Sequence, residues 1–196
     1  MTPLTSKELL YYLLEDNTLE PDDLDQFIQA NPDENQYVEY KNGAITTQQQ
    51  RRDQGVPTIR EYISGFANSD GGVLIVGIDE SRPRQIAPCE QLPGGLPLND
   101  WAARCLHDMV GYFSPQPRFY TVPHPQGSVL AIAVARAPSL VPCVESREIK
   151  YFLRIGDSTL PVPEYLIADL VLGRRQNPFI DLHHTYSMSH MTLHQT

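Results

Sequence analysis

Two glutamates five positions apart, Glu34 and Glu39, stand just ahead of Lys41. Carboxylate oxygens are hard donors suited to Mg²⁺ or Mn²⁺, and an ammonium adds positive charge beside a phosphate. The segment Tyr37-Val38-Glu39-Tyr40-Lys41 is β-prone and reads as a strand. Side chains alternate along a strand, so Glu39 and Lys41 project from one face. A second segment, Phe66-Ala67-Asn68-Ser69-Asp70-Gly71-Gly72, runs into the apolar stretch Val73 to Ile78, with Asp79 and Glu80 at its end. Paired glycines there permit a tight turn and a close approach by a neighbouring backbone or ligand. In a third, Tyr151-Phe152-Leu153-Arg154 leads into the polar turn Ile155-Gly156-Asp157-Ser158-Thr159. Taken on residue types alone, Glu39 and Lys41 also read as an ordinary surface pair, worth about 0–1 kcal/mol, and Glu34 as a solvated acid.

The elements that must hold these groups can be read along the chain. Thr5-Ser6-Lys7-Glu8 is a capping box, followed by an apolar stripe of Leu9, Leu10, Leu13 and Leu14. Pro21 opens a second helix with Leu24, Phe27 and Ile28 on one face. The two form an N-terminal helical hairpin packed on the body. After the Tyr37–Lys41 strand, Asn42 to Gly55 reads as a polar loop. Pro57-Thr58 starts a helix with Ile59, Tyr62, Ile63, Phe66 and Ala67 on its buried face. Val73 to Ile78 suits a central strand buried on both faces. A helix from about Asn99 carries Ala102, Cys105, Leu106, Met109, Val110 and Phe113, with Trp101 as a packing anchor. Phe119–Val122 and Val129–Val134 are strands joined by a turn at His124-Pro125-Gln126-Gly127. A strand at Tyr151–Arg154 and a helix from Pro163 to Gly173 complete the order α-α-β-α-β-α-β-β-β-α. That order predicts a mixed α/β domain.

The chain has 196 residues, of which 41% are hydrophobic, enough for a packed core. Cys89, Cys105 and Cys143 are odd in number and widely spaced, which argues against a disulfide framework or zinc ribbon and fits a reducing, cytoplasmic setting. No apolar run reaches the ~18 residues of a membrane span, and no secretory signal opens the chain. The net charge is −9, and residues 1–40 alone supply it, with ten acids and the single base Lys7. The remainder is neutral, which leaves room for a local basic face on the body. The division expected is an acidic helical arm over residues 1–31, the main domain over 32–175 and a loose tail over 176–196. His183, His184, His190 and His194 crowd that tail. No GxxxxGK[ST] phosphate loop and no nucleophile-elbow triad occur.

Three segments in order, the Glu39-x-Lys41 entry strand, the Phe66–Gly72 turn and Arg154-x-Gly156-x-Ser158, resemble the Schlafen-type Alba-like domain, also catalogued as a divergent AAA domain. The resemblance covers about Glu34 to Leu172 and implies an α/β Alba-like fold that binds RNA or DNA. Some Schlafen members cleave transfer or ribosomal RNA with three acids and a divalent metal. Glu34 and Glu39 match two of those acids and Asp79 the third, with Glu80 as its one-residue rival. The resemblance then implies a Mg²⁺ or Mn²⁺ site at Glu34, Glu39 and Asp79, and charge at the phosphate from Lys41. Arg51, Arg52, Arg60, Arg82, Arg84 and Arg154 are the candidate phosphate contacts. Tyr37, Tyr40, Tyr62 and Tyr151 are candidate base-stacking groups. Larger relatives set two such lobes across a groove, so a lone lobe is expected to pair as a homodimer. The strong acidity also fits a non-catalytic interaction module, whose arm contacts a basic partner or mimics a nucleic acid. A nucleotide-binding protein is the third alternative.

Overall fold

Thr5 begins the first helix as its sequence predicts. Its Oγ1 accepts the Glu8 amide, and the Glu8 carboxylate accepts the Thr5 amide in return. That fixes the start of α1 (Ser6–Leu14), and Pro21 starts α2 (Pro21–Ala30). The computed structural model describes residues 3–47, 50–145 and 148–176.

Four strands make the central sheet: β1 (Val38–Lys41), β2 (Gly72–Val76), β3 (Arg118–His124) and β4 (Gly127–Val134), in the order β1-β2-β4-β3. β1 runs parallel to β2, with Glu39 beside Leu74 and Lys41 beside Val76. The helix α3 (Val56–Ala67) supplies the crossover that a parallel pair requires. β4 pairs antiparallel with both β2 and β3. Every residue of β2 is buried, so it is apolar on both faces.

Side-chain alternation divides the core into two layers. Val38, Tyr40, Val73, Ile75, Ala131 and Ala133 face α1 and α2. Leu74, Val76, Leu130 and Ile132 face α3 and α4 (Leu98–Cys105). The N-terminal hairpin is thus one layer of a three-layer sandwich, its leucines buried on the sheet. Burial of each such side chain contributes about 1.5–3 kcal/mol, so the α1–α2 hairpin is a structural part of the domain.

Past the sheet come two small hairpins, β5 (Cys143–Glu145) with β6 (Glu148–Lys150), and β7 (Phe152–Ile155) with β8 (Ser158–Pro161). The helix α5 (Glu164–Gln176) sets Leu166 and Leu170 against Leu140, Leu153 and Val162. Gly65 of α3 lets β8 come close, because a Cβ there would lie 2.8 Å from Thr159 Cγ2.

Three expectations change. The helix from Asn99 ends at Cys105 and continues as a 3₁₀ turn over His107–Tyr112, which leaves Val110 exposed and Met109 buried. The polar stretch after β1 holds a 3₁₀ turn, Gly43–Thr46, whose Thr46 hydroxyl donates to the Gly43 carbonyl. The turn expected over Ile155–Thr159 narrows to Gly156-Asp157, with Gly156 at φ 62°, because Ile155 and Ser158 already pair as the ends of β7 and β8. The tail from residue 177 and its four histidines lie outside the described residues.

Candidate functional site

Val38 and Tyr40 point to the α1–α2 layer, so the strand period turns Glu39 toward α3. Glu39 is 1% exposed there. A carboxylate is buried at that depth only when it is paired. Its Oε2 lies 2.5 Å from Arg154 Nη1, and its Oε1 lies 2.6 Å from Lys41 Nζ. The surface-pair reading of Glu39 and Lys41 is therefore corrected: the pair is one edge of a buried network. Lys41 also reaches Glu80 Oε1 at 3.3 Å and lies over the Tyr62 ring, 4.9 Å from its centroid. Burial opposes the charge on Lys41, but the hydrogen bond and charge of Glu39, with Tyr62 and Glu80, outweigh it and raise its pKa. Burial, then the Glu39 charge, pushes the Tyr62 phenol up to about 12 against the pull of Lys41. At neutral pH the lysine is charged and the phenol is neutral.

Arg154 is placed by the turn between α3 and β2. The Asn68 amide is fully buried, donates to the carbonyls of Val141 and Phe152, and accepts the Val141 amide at 2.7 Å. Ser69 Oγ accepts the Arg154 amide at 2.8 Å. Gly71, at φ 82°, turns the chain into the strand. At Gly72 an added Cβ would stand 2.1 Å from the Phe66 ring, so the second glycine admits that ring. The Arg154 guanidinium then lies over Phe66 and donates to the carbonyls of Asn35 and Val38 as well as to Glu39. The close approach that the paired glycines permit is by the protein's own Phe66 and by the backbone at Val134. Gln36 completes the clamp, with its amide on the Arg154 carbonyl and the Gly156 amide.

A second cation, Arg84, lies on the other side of β1. Its guanidinium stacks on the Tyr40 ring at 4.4 Å and donates to the carbonyls of Pro32 and Asp79. It also faces Glu34 at 3.5 Å. Glu34 Oε1 accepts the Tyr40 amide. Burial, with the charge of Glu39, nonetheless raises the Glu34 pKa against Lys41, the Tyr40 amide and Arg84. Asp79 is turned into its own loop, where its carboxylate accepts the Ser81 amide at 2.9 Å. It is Glu80, the neighbour of Asp79, that meets Lys41. The site therefore balances Glu34, Glu39 and Glu80 against Lys41, Arg84 and Arg154 and carries no net charge.

The four candidate arginines whose side chains are described do not form one basic face. Arg154 has a fully buried side chain and is spent inside the fold, which corrects its reading as a phosphate contact. Arg60 donates to the carbonyls of Cys105 and Val144 and pairs with Asp108. Arg84 is nine-tenths buried, and the exposed Arg82 pairs with Asp33. The side chains of Arg51 and Arg52 lie outside the described residues; their backbone forms a π turn over Arg51–Gly55. Tyr40 is buried, with its hydroxyl on the Asn31 carbonyl. Among the described residues no three of His, Cys, Asp and Glu stand together as a metal-binding group. No described helix is long and apolar enough to cross a membrane.

Sequence reading missed the parts played by Tyr62, Gln36 and Arg84. Tyr62 falls on the same helical stripe as Ile59 and Ile63, where an aromatic reads as core. Its offset to the edge of that stripe was the one available signal.

A protein-family model described as "Schlafen, AlbA_2" matches residues 34–163. The matched span starts at Glu34 and includes β1, the Asn68 turn and the β7–β8 hairpin. No curated protein matches the chain. A Corynebacterium diphtheriae protein of known structure is similar over 68% of this chain at 24% identity and a TM-score of 0.47, and the chain spans only 27% of that protein. The N-terminal domain of a RecG-related protein from Nitrosomonas europaea is similar over 70% of this chain and 89% of its own, at 17% identity and a TM-score of 0.37.

Proposed function

The chain belongs to the Schlafen, AlbA_2 family, and from that premise we propose that it is a nucleic-acid-binding domain whose ligand is RNA or DNA. The observation that carries this reading is the family match, which spans the whole Glu39–Lys41–Arg154 network. Lys41 places an ammonium at the rim of the site, held between Glu39 and Glu80 and over the Tyr62 ring. The test is fluorescence anisotropy with a structured RNA, a single strand and a DNA duplex. Salt-dependent binding of any of them supports the proposal. Binding to none, with capture of a basic protein, would replace it by the interaction-module reading.

Metal-dependent endoribonuclease activity is the more demanding form of this proposal. Mg²⁺ or Mn²⁺ would be held by carboxylates of Glu34, Glu39 and Asp79 and would polarise a phosphate or activate water. As the side chains stand, both Glu39 oxygens already face cations and Asp79 serves its own loop. The donor set does not fit a metal in this arrangement, and no step is derived through one. Incubation of the protein with a structured RNA and Mn²⁺ beside Glu34→Gln separates the two forms. Retained binding without cleavage is the outcome proposed. Cleavage lost in the variant would establish the nuclease. Pairing of two lobes as a homodimer is part of the same proposal, and a sedimentation coefficient of a 22.1 kDa monomer would remove it.

A further inference from the structure

A second concavity lies beyond the Arg84 side of the site. It has a volume of 420 Å³, within the ~300–1,000 Å³ typical of small-molecule sites. Three separate elements meet there: α2, the loop that follows β2, and the turn between β3 and β4. Its apolar lining is Ile28 and Ile86, and its polar lining includes the amide side chains of Gln29, Gln85 and Gln126. None of these three amides has a hydrogen-bond partner among the described residues. Each offers a donor and an acceptor in one plane.

The charges at this place exclude a phosphate cradle. Arg84 lines the cavity, but Glu34 lies 3.5 Å from its guanidinium. Asp25, the remaining charged group of the lining, faces His124 at 3.3 Å. A phosphate would meet an acid with no uncommitted cation to offset it. A neutral, planar ligand with hydrogen-bonding edges suits this lining: its edge meets primary amides, as glutamine pairs with adenine in duplex readout, and the partly exposed Ile86 offers it an apolar contact. We propose that the Gln29–Gln85–Gln126 pocket receives one unpaired nucleobase. This deepens the nucleic-acid reading above and rests on it. It also explains how a chain of net charge −9 engages a polyanion: recognition goes through a base, and the phosphates stay in solvent.

The experiment uses the full chain and labelled RNA strands of about eight nucleotides, within the usual range of single-strand sites. Four homopolymers and one abasic strand carry equal phosphate charge. At least one homopolymer should bind tenfold or more tightly than the abasic strand. Its log affinity should change little with log salt, at a slope shallower than the about −0.7 that one phosphate contact gives. The paired substitution Gln85→Ala and Gln126→Ala removes two exposed amides and should reduce that homopolymer to the abasic level with an unchanged melting temperature. Equal binding of abasic and base-bearing strands, or no loss in the variant, would overturn the pocket while the broader reading stands. Calorimetry with free nucleosides separates the remaining cases. If no strand binds but a nucleoside does, the pocket stands with a free nucleoside or base as its source. If neither binds, both readings fall.

Discussion

Replacing Arg154 with methionine removes the guanidinium that Glu39 faces at 2.5 Å and keeps a side chain of similar reach. The loss can be worked from its contacts. Glu39, 1% exposed, is left with Lys41 as its one cation. The carbonyls of Asn35 and Val38 lose the donors that reached them at 2.9–3.1 Å. Breaking a buried pair on one side costs about 3–5 kcal/mol, most of it from the charge left unpaired. In a chain of this size each kcal/mol moves the melting temperature by about 2–4 °C, so a fall of about 6–20 °C is expected. The second arm is a double-mutant cycle. Glu39→Leu removes the stranded charge and sets an apolar side chain in its place, while Lys41 keeps Glu80. The double variant should therefore recover at least about 2 kcal/mol over the sum of the singles in urea titrations. Additivity within about 0.5 kcal/mol would refute the reasoning, since it would mean that the two groups do not sense each other. So would a loss under about 1 kcal/mol from Arg154→Met alone.

Three further outcomes follow from the same geometry. Asn68→Ala leaves the Val141 amide unpaired in the interior, while Ser64 Oγ still serves the Val141 carbonyl, so about 1–3 kcal/mol should be lost and hydrogen exchange at the Val141 amide should accelerate accordingly. Gly72→Ala drives a methyl into the Phe66 ring, so the urea midpoint should fall by the equivalent of about 1–3 kcal/mol with the m-value unchanged. Burial raises the pKa of Glu34 in the fold above the ordinary carboxylate value of 4.5, so its protonated form favours the fold: that stability is full below pH 4.5 and is lost as pH rises through the raised value. Glu34→Gln, which resembles the protonated form, should melt above the wild type at pH 7 and level with it at pH 4. A variant that melts lower at pH 7 would show that the Arg84 pairing outweighs desolvation.

The layers were legible because they follow periodicities. The leucines of α1, the Ile59–Ile63–Phe66 stripe of α3 and the unbroken apolar β2 each state which face is buried. The short elements were not. β8 is Ser158-Thr159-Leu160-Pro161, too brief and polar to alternate, and its place is set by contact of Thr159 with Gly65 rather than by its own propensity. The helix after Leu98 keeps a helical spacing of apolar residues through Phe113, yet changes to a 3₁₀ turn after Cys105. Sequence spacing does not distinguish the two over so few residues. At the site, the pairing of Glu39 with Lys41 on one face was read from strand geometry alone. The burial of Arg154 was not, because arginine is a surface residue by type and only tertiary contacts from Asn35, Val38 and Glu39 bring it inside.

The link between Glu39 and Arg154 spans 115 residues of chain. Synthesis proceeds from the N-terminus, and all four strands of the central sheet are made once Val134 has been added. Until Arg154 follows, Glu39 lies beneath α3 with a lysine as its only counter-charge. A nascent chain halted between β4 and β7 therefore owns the sandwich but holds an incompletely neutralised acid in it, a condition that favours local opening over a settled surface. Neutralisation of the acid on β1 is thereby tied to the arrival of β7. A chain cut before β7 would lack the guanidinium that the buried Glu39 faces and would hold its β1 edge less firmly.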